Sequence, residues 1–482
     1  MRRAKILATL GPTSNTPEII ERLIKAGLNA VRINMSHGTH AEHEQVIKNA
    51  RAAAKKLNKP LSVLVDLSGP KIRTGLLQNA TPVFLEDGAD FTITSRDIEG
   101  NVKEVSTNFK DLPKLAEKGA RILLDDGAIE LKVKSVTKTD VKTTIVNGGK
   151  LSERKGINLP NTTLPIPSLT AKDRTDLDWA MTQNADYIAL SFVRTAKDCL
   201  EVKELIKKAN TRKFGRPLLV AKIEKAEAIE NLDSILDATD GVMVARGDLG
   251  VETSVELVPV YQKQIIEKAV EKDCFVITAT QMLQSMISEP RPTRAEASDV
   301  ANAVWDGTDA VMLSAETASG KYPVEAVETM ERIITAAETV KTMKLISPAK
   351  FVEKPTGRTS QALCKAAAFS AREIKTDKVA VFTESGLMAR RLSSIRSDLR
   401  TFALTDGEDV RNQLALIWGV EPLCHESSST TESMLKEGEK TLLDAGAVEK
   451  GDTIVMMAGR LSGLGLSSSV VVWTIGENVP RK

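Results

Sequence analysis

Disulfide frameworks, zinc ribbons and membrane spans are the first possibilities this chain removes. Its 482 residues include four cysteines, Cys199, Cys274, Cys364 and Cys424, with no Cys-x-x-Cys pair. Isolated thiols fit a reducing compartment and supply neither a disulfide scaffold nor a zinc site. Aromatic residues make up 4%, and 66 basic against 64 acidic side chains give a formal net charge of +2. So few stacking faces and so even a charge are poor equipment for holding nucleic acid. No run approaches the ~20 apolar residues of a membrane helix. The opening MRRAKILATLGPTS has too short an apolar stretch for a signal peptide. A soluble, cytoplasmic protein with no membrane or nucleic-acid partner is expected. No GxxxxGK[ST] occurs, so any nucleotide is held by another device.

What is present centres on residues 218–252. Two apolar runs, Leu218–Ala221 and Gly241–Ala245, read as buried strands separated by a helix-length segment. The first ends in Lys222-Ile-Glu224 and the second in Arg246-Gly-Asp248. Side chains alternate along a strand, so Lys222 and Glu224 share a face. One ammonium and two carboxylates then converge at the C-terminal edge of a parallel sheet, where α/β enzymes bind ligands. Oxygen donors without His or Cys nearby suit Mg²⁺ better than zinc. Surface salt bridges would produce the same local pattern.

Taken in order, the chain opens as a βαβ unit. Thr16-Pro17 supplies a helix cap and Gly27 a stop, and a second strand leaves through Arg32, Asn34, Ser36 and His37. Thr39 and Glu42 form a capping box, which explains the polarity around His37, His40 and His43 better than a metal cluster does. After a strand ending at Asp66, residues 71–155 change to short alternating segments with turns at Asp126-Gly127 and Asn147-Gly148-Gly149. They read as an inserted antiparallel β domain, placed to act as a lid. Strands are expected at 5–10, 28–33, 61–66, 186–191, 218–221, 241–245, 275–278 and 310–313. Eight β/α units match a (β/α)₈ TIM barrel made from residues 1–70 and 156–345, an open doubly wound sheet being the alternative.

The barrel reading gathers polar residues from seven strands onto one rim: Arg32 and Asn34, Asp66, Ser191, Lys222 and Glu224, Asp248, Thr280, Ser314 and Glu316. Thr280 or Ser314 alone would equally be a loop residue or helix cap. LISPAKFVEKPTGRTS reads as a linker, and 346–482 as a C-terminal α/β domain with strands at 378–382, 400–404, 453–457 and 470–474. Thr383-Glu-Ser-Gly386 follows the first of these and can open a phosphate-binding helix or serve as an ordinary cap. Gly463-Leu-Gly465-Leu-Ser-Ser-Ser469 is a second candidate phosphate loop.

RINMSHG (32–38), GPKIRTG (69–75), KGINLP (155–160), KIE (222–224), ARGDLGVE (245–252), TATQML (278–283), RPTRAEASDVANAV (291–304) and MLSAET (312–317) closely resemble the pyruvate kinase family, in family order along the whole chain. The resemblance implies transfer of phosphoryl from phosphoenolpyruvate to ADP, giving pyruvate and ATP. It makes Glu224 and Asp248 ligands of Mg²⁺, with Mn²⁺ as a substitute. Arg32, Ser191, Lys222, Gly247, Asp248 and Thr280 would surround the substrate, with Ser314 and Glu316 in the network that protonates the enolate. Asn34, His37, Arg73 and Lys155 would face the nucleotide.

Asn34, Ser36, Asp66 and the Leu67 carbonyl match a shell that holds K⁺ in many members, but Lys71 stands where those members have glutamate, and Leu67 where they have threonine. A fixed ammonium can replace the monovalent ion, so no K⁺ requirement is expected. Thr383, Ser385 and Gly386 match part of an effector phosphate loop. Met388 and Glu384 argue for a sugar monophosphate or nucleotide rather than fructose-1,6-bisphosphate. The family suggests a homotetramer. A Mg²⁺-dependent lyase or aldolase, or a metabolite-binding protein without catalysis, are the competing functions.

Overall fold

A computed structural model describes residues 2–160, 162, 165–212, 215–340, 355–426, 430–458 and 469–477, the side chains of 355–358 excepted. Eight parallel strands close into a barrel: β1 (Lys5–Thr9), β2 (Ala30–Asn34), β3 (Ser62–Asp66), β4 (Tyr187–Leu190), β5 (Leu218–Ile223), β6 (Gly241–Ala245), β7 (Phe275–Ala279) and β8 (Ala310–Leu313). Each pairs with its neighbours in sequence, and β8 returns to β1 through Lys5↔Ala310 to Ala8↔Leu313. The closed sheet excludes the doubly wound alternative. Seven of the strands are buried or nearly so along their length, because helices cover the outside and side chains fill the inside. Capping boxes at Thr39–Glu42, Thr170–Asp173 and Thr195–Asp198 start three of the outer helices. At the rim, a Cβ on Gly11 would lie 2.5 Å from the Ala318 carbonyl oxygen, so only glycine lets the β1 loop close against the turn after β8.

Between β3 and β4 the chain builds the lid. Its six-stranded sheet runs Ile157–Asn158, Arg121–Leu124, Ile129–Val136, Asp140–Asn147, Asp90–Thr94, Glu104–Ser106. All pairings are antiparallel except the last, Asp90–Thr94 with Glu104–Ser106, which is parallel. A separate apolar core containing Phe91, Ile93, Leu131 and Val141 holds it together.

The C-terminal domain carries β9 (Lys378–Phe382), β10 (Arg400–Thr405), β11 (Val420–Cys424), β12 (Thr453–Ala458) and β13 (Ser469–Thr474), ordered β11-β10-β9-β12-β13. β11 was not anticipated, because Pro422 disqualifies a central strand; it is tolerated here at the sheet edge. Part of the expected linker is also helical. Residues 345–354 lie outside the described residues, whereas Pro355–Glu373 is a helix opened by its proline. The Gly463–Ser469 loop falls outside the described residues as far as 468.

This domain seals the barrel floor. One apolar cluster runs from Leu7, Tyr187, Met243 and Phe275 inside the barrel to Val379, Leu392, Leu414 and Val420. Beside it Arg396 grips Asp309, Nη1 to Oδ1 at 3.1 Å and Nη2 to Oδ2 at 2.6 Å. The same carboxylate accepts the Val276 and Trp418 backbone N–H groups, so each of its oxygens takes two donors. The Lys5 ammonium donates to the Val420 carbonyl at 2.8 Å.

Candidate active site

The C-terminal ends of the strands bring the predicted polar residues together on one side of the barrel. Lys222 Nζ lies 2.8 Å from Ser191 Oγ, 2.9 Å from Glu224 Oε1 and 3.3 Å from Asp66 Oδ1. Arg32 donates from Nε to Asp66 Oδ2 at 2.7 Å and from Nη1 to Thr9 Oγ1 at 3.0 Å. Ser191 donates to the Leu67 carbonyl at 2.7 Å, and the Phe192 N–H donates to Glu224 Oε2 at 2.8 Å. Arg32, Asp66, Lys222 and Glu224 therefore form one charge-alternating chain, with Thr9 at its Arg32 end. Burial works to strip the proton from Lys222, but the Asp66 and Glu224 carboxylates overcome it and hold the ammonium more firmly protonated than usual. Burial likewise opposes ionisation of Asp66, yet Lys222 and Arg32 keep its carboxyl below the ordinary range.

Glu224 behaves differently. Burial pushes its carboxyl up, and despite Lys222 the charge of Asp248 pushes in the same direction. A buried carboxylate whose ionisation is opposed by a neighbouring carboxylate is stabilised by a cation placed between the two. Among the described residues no group of three or more His, Cys, Asp or Glu side chains is arranged around a metal. Two hard oxygen donors that leave the other positions to substrate and water fit Mg²⁺.

Asp248 lies in the first turn of the helix Arg246–Glu252, which starts as β6 ends. Arg246 fixes that turn: Nη1 meets Asp299 Oδ1 at 2.7 Å and Nη2 donates to the Thr280 carbonyl at 2.7 Å. Thr280 stands at φ +70°, strained for a β-branched residue. Its hydroxyl donates to the Ala279 carbonyl at 2.6 Å and accepts the Gly247 N–H at 2.8 Å. The Gly247 amide is thus already satisfied by Thr280. After β8, Glu316 turns inward, accepting Ser314 N–H on Oε2 at 2.7 Å and Leu283 N–H on Oε1 at 3.1 Å. It fixes the backbone there, while the buried Ser314 hydroxyl has no hydrogen-bond partner among the described residues and lines the cleft.

Asn34 and His37 line a cleft of about 890 Å³ with Thr9, Arg32, Glu42 and Ser314. Burial lowers the His37 pKa, and Arg73, Lys71 and Arg32 lower it further, so His37 is a neutral ring facing three cations. Lys155 is not brought to this cleft: its ammonium pairs with Asp125 in the lid at 2.9 Å. Arg73 reaches the Arg154 carbonyl at 3.0 Å across the lid hinge. The neighbouring histidines are structural. His40 Nε2 pairs with Asp176 at 2.8 Å and stacks on Trp179, and His43 Nε2 meets the His37 carbonyl at 2.7 Å.

Three of the four residues expected around a monovalent cation already have partners for their oxygens. Asn34 Oδ1 accepts the Ser36 N–H at 3.1 Å, Leu67 O takes Ser191, and Asp66 takes Arg32 and Lys222. Lys71 is exposed and lines a cleft with Asp248, Thr280 and Ser314. In the C-terminal domain Thr383 Oγ1 accepts the Gly386 N–H at 2.9 Å, and Arg390 donates to the Ser385 carbonyl at 3.2 Å. Gly386, at φ +73°, caps the helix Leu387–Ser394, and Met388 is buried within it. Two residues that sequence reasoning passed over also sit at the rim. Lys225 and Glu252 form a buried pair at 2.7 Å; no periodic signal links a strand end to a helix end 27 positions on.

Comparison with known proteins gives a consistent neighbourhood. Residues 1–327 match the family model "Pyruvate kinase, barrel domain", and 361–472 match "Pyruvate kinase, alpha/beta domain". A pyruvate kinase of Staphylococcus epidermidis is 40% identical over 486 residues, covering 100% of this chain and 82% of its own. One from Sporosarcina psychrophila is 41% identical over 484 residues with the same coverage. A crystal structure of a pyruvate kinase from Cryptosporidium parvum superposes with a TM-score of 0.89 at 34% identity, covering 98% of this chain and 96% of that one.

Proposed function

Since the chain belongs to the pyruvate kinase family and transfers the phosphoryl group of phosphoenolpyruvate to ADP, giving pyruvate and ATP, we propose how its own residues divide that work. Arg32 and Lys222 hold the phosphoryl oxygens, and Lys222 also faces the bridging oxygen that becomes the enolate. Glu224 and Asp248 hold Mg²⁺, or Mn²⁺ in its place, which when bound neutralises further oxygen charge. Phosphoryl transfer asks chiefly for such positioning and neutralisation.

The substrate carboxylate sits against Thr280 and the first turn of the Asp248 helix, taking the Gly247 and Asp248 N–H groups. To do so it displaces Thr280 from Gly247. The Ser314 hydroxyl relays a proton to the enolate carbon, breaking its own O–H bond as it takes a proton from a water on its other side, and Glu316 acts through the Ser314 backbone it fixes. The nucleotide occupies the cleft of Asn34 and His37, its phosphates among the cations around His37. Arg73 and Lys155 join it as the lid, residues 71–155, closes over the barrel of 1–70 and 156–345, Lys155 leaving Asp125. Closure keeps water from the enolate.

The observation that carries the reading is the buried Lys222 ammonium, set among Ser191, Asp66 and Glu224 on one rim. Its test is pyruvate release from phosphoenolpyruvate with and without ADP. Release should require ADP and fail in Arg32→Ala and Lys222→Ala; release without ADP would instead describe a lyase.

Three further assignments follow. Lys71 substitutes for K⁺, a reading supported by the engaged oxygens of Asn34, Asp66 and Leu67. The loop of Thr383, Ser385 and Gly386 in the 346–482 domain takes a phosphorylated effector. The enzyme is a cytoplasmic homotetramer, supported by Val255, Leu257 and Val260, apolar yet 77%, 40% and 57% exposed beside the Asp248 helix.

A further inference from the structure

The two carboxylates assigned to the divalent cation sit on different elements, and a third contact ties those elements together. Lys225 immediately follows Glu224. Glu252 ends the helix whose first turn carries Asp248. Lys225 Nζ lies 2.7 Å from Glu252 Oε1, with only 8% and 4% of the two side chains exposed. The same oxygen accepts Asn158 Nδ2 at 2.7 Å. Asn158 is on the lid's return strand, paired with Arg121–Leu124. The lid nears the helix again where Gly127 and Val251 line one cleft, a Cβ on Gly127 falling 3.7 Å from Val251.

A buried ion pair contributes little net stability compared with an apolar pair of the same volume, because both ions lose water. What this one adds is geometry, since one oxygen serves the strand end, the helix end and the lid together. We infer that Lys225, Glu252 and Asn158 are positioning residues that set the separation of Glu224 and Asp248 and make it depend on where the lid lies. The inference rests on the assignment of those two carboxylates to Mg²⁺. Coupling of this kind is reciprocal: an ordered lid tightens cation binding, and the cation orders the lid.

Two measurements on the full-length enzyme test it: Mn²⁺ binding, read as the electron paramagnetic resonance of free Mn²⁺, and amide hydrogen exchange of the lid with and without Mn²⁺. Lys225→Met and Glu252→Gln should each raise the Mn²⁺ Kd by about 10–100-fold, the range for outer-shell partners of metal ligands. Both should also lose Mn²⁺-induced protection of the lid, and Lys225→Arg should restore part of each effect. The double variant Lys225→Met/Glu252→Gln leaves no lone buried charge, so it separates lost positioning from lost folding. Asn158→Ala keeps the ion pair and should shift both readouts in the same direction. Wild-type Mn²⁺ affinity and lid protection in the double variant and in Asn158→Ala would overturn the inference. Glu224→Gln is the control: if it also binds Mn²⁺ as wild type does, the cation assignment itself falls.

Discussion

The Lys222 ammonium lies 2.9 Å from Glu224 Oε1, joining the last inward-turned residue of β5 to the carboxylate that immediately follows the strand. That relationship makes Lys222 the most informative single substitution. Lys222→Ala should lower kcat by ~10²–10³ or more, the scale for removing a preorganised group that stabilises transition-state charge. Asp66 keeps Arg32 as a partner, so the fold should survive. Steady-state kinetics beside circular dichroism checks both halves; more than a tenth of wild-type kcat would take Lys222 out of the mechanism.

Lys71 and potassium form the second prediction. Turnover should hardly change when K⁺ is exchanged for a bulky organic cation at constant ionic strength. Lys71→Glu shifts the local charge by two units and should create a K⁺ dependence. Strong, K⁺-specific activation of the wild-type enzyme would contradict the assignment.

Effector choice can be read from a panel of phosphorylated compounds at low phosphoenolpyruvate. Sugar monophosphates or nucleotides should activate and fructose-1,6-bisphosphate should not, because Glu384 adds negative charge beside the loop. Thr383→Ala should raise the activator concentration needed without altering the rate at saturating substrate.

Arg396→Met removes one half of a buried, bidentate pair and strands Asp309 on the barrel floor. Breaking such a pair costs about 3–5 kcal/mol. The urea midpoint should fall accordingly, whereas Arg396→Met combined with Asp309→Asn, which removes the stranded charge but keeps an oxygen for a backbone N–H, should recover part of the loss.

The barrel was legible because its strands are buried on both faces and so appear as unbroken apolar runs. The error at β2, expected from 28 and observed from Ala30, is local: Asn29 spends its side chain accepting the Ile6 N–H. β11 was hidden by Pro422, and the start of the Pro355–Glu373 helix was hidden by a proline that opens it. At the site, strand ends told which residues meet but not which way they turn. Glu316 faces backbone amides rather than the cleft, and Lys155 prefers Asp125. Those orientations depend on partners far away in sequence, as does the Lys225–Glu252 pair.

The continuous apolar interior described above means that this barrel has no bottom of its own. Its first strand is anchored through Lys5 to Val420, almost the length of the chain away. Tyr187 donates to the Gln413 carbonyl from inside the barrel in the same manner. The packing of the barrel floor is therefore complete only when residues from near the end of the chain are in place. For the same reason the C-terminal domain is no detachable cassette: exchanging it for another would oblige the recipient to rebuild the surface on which the barrel closes.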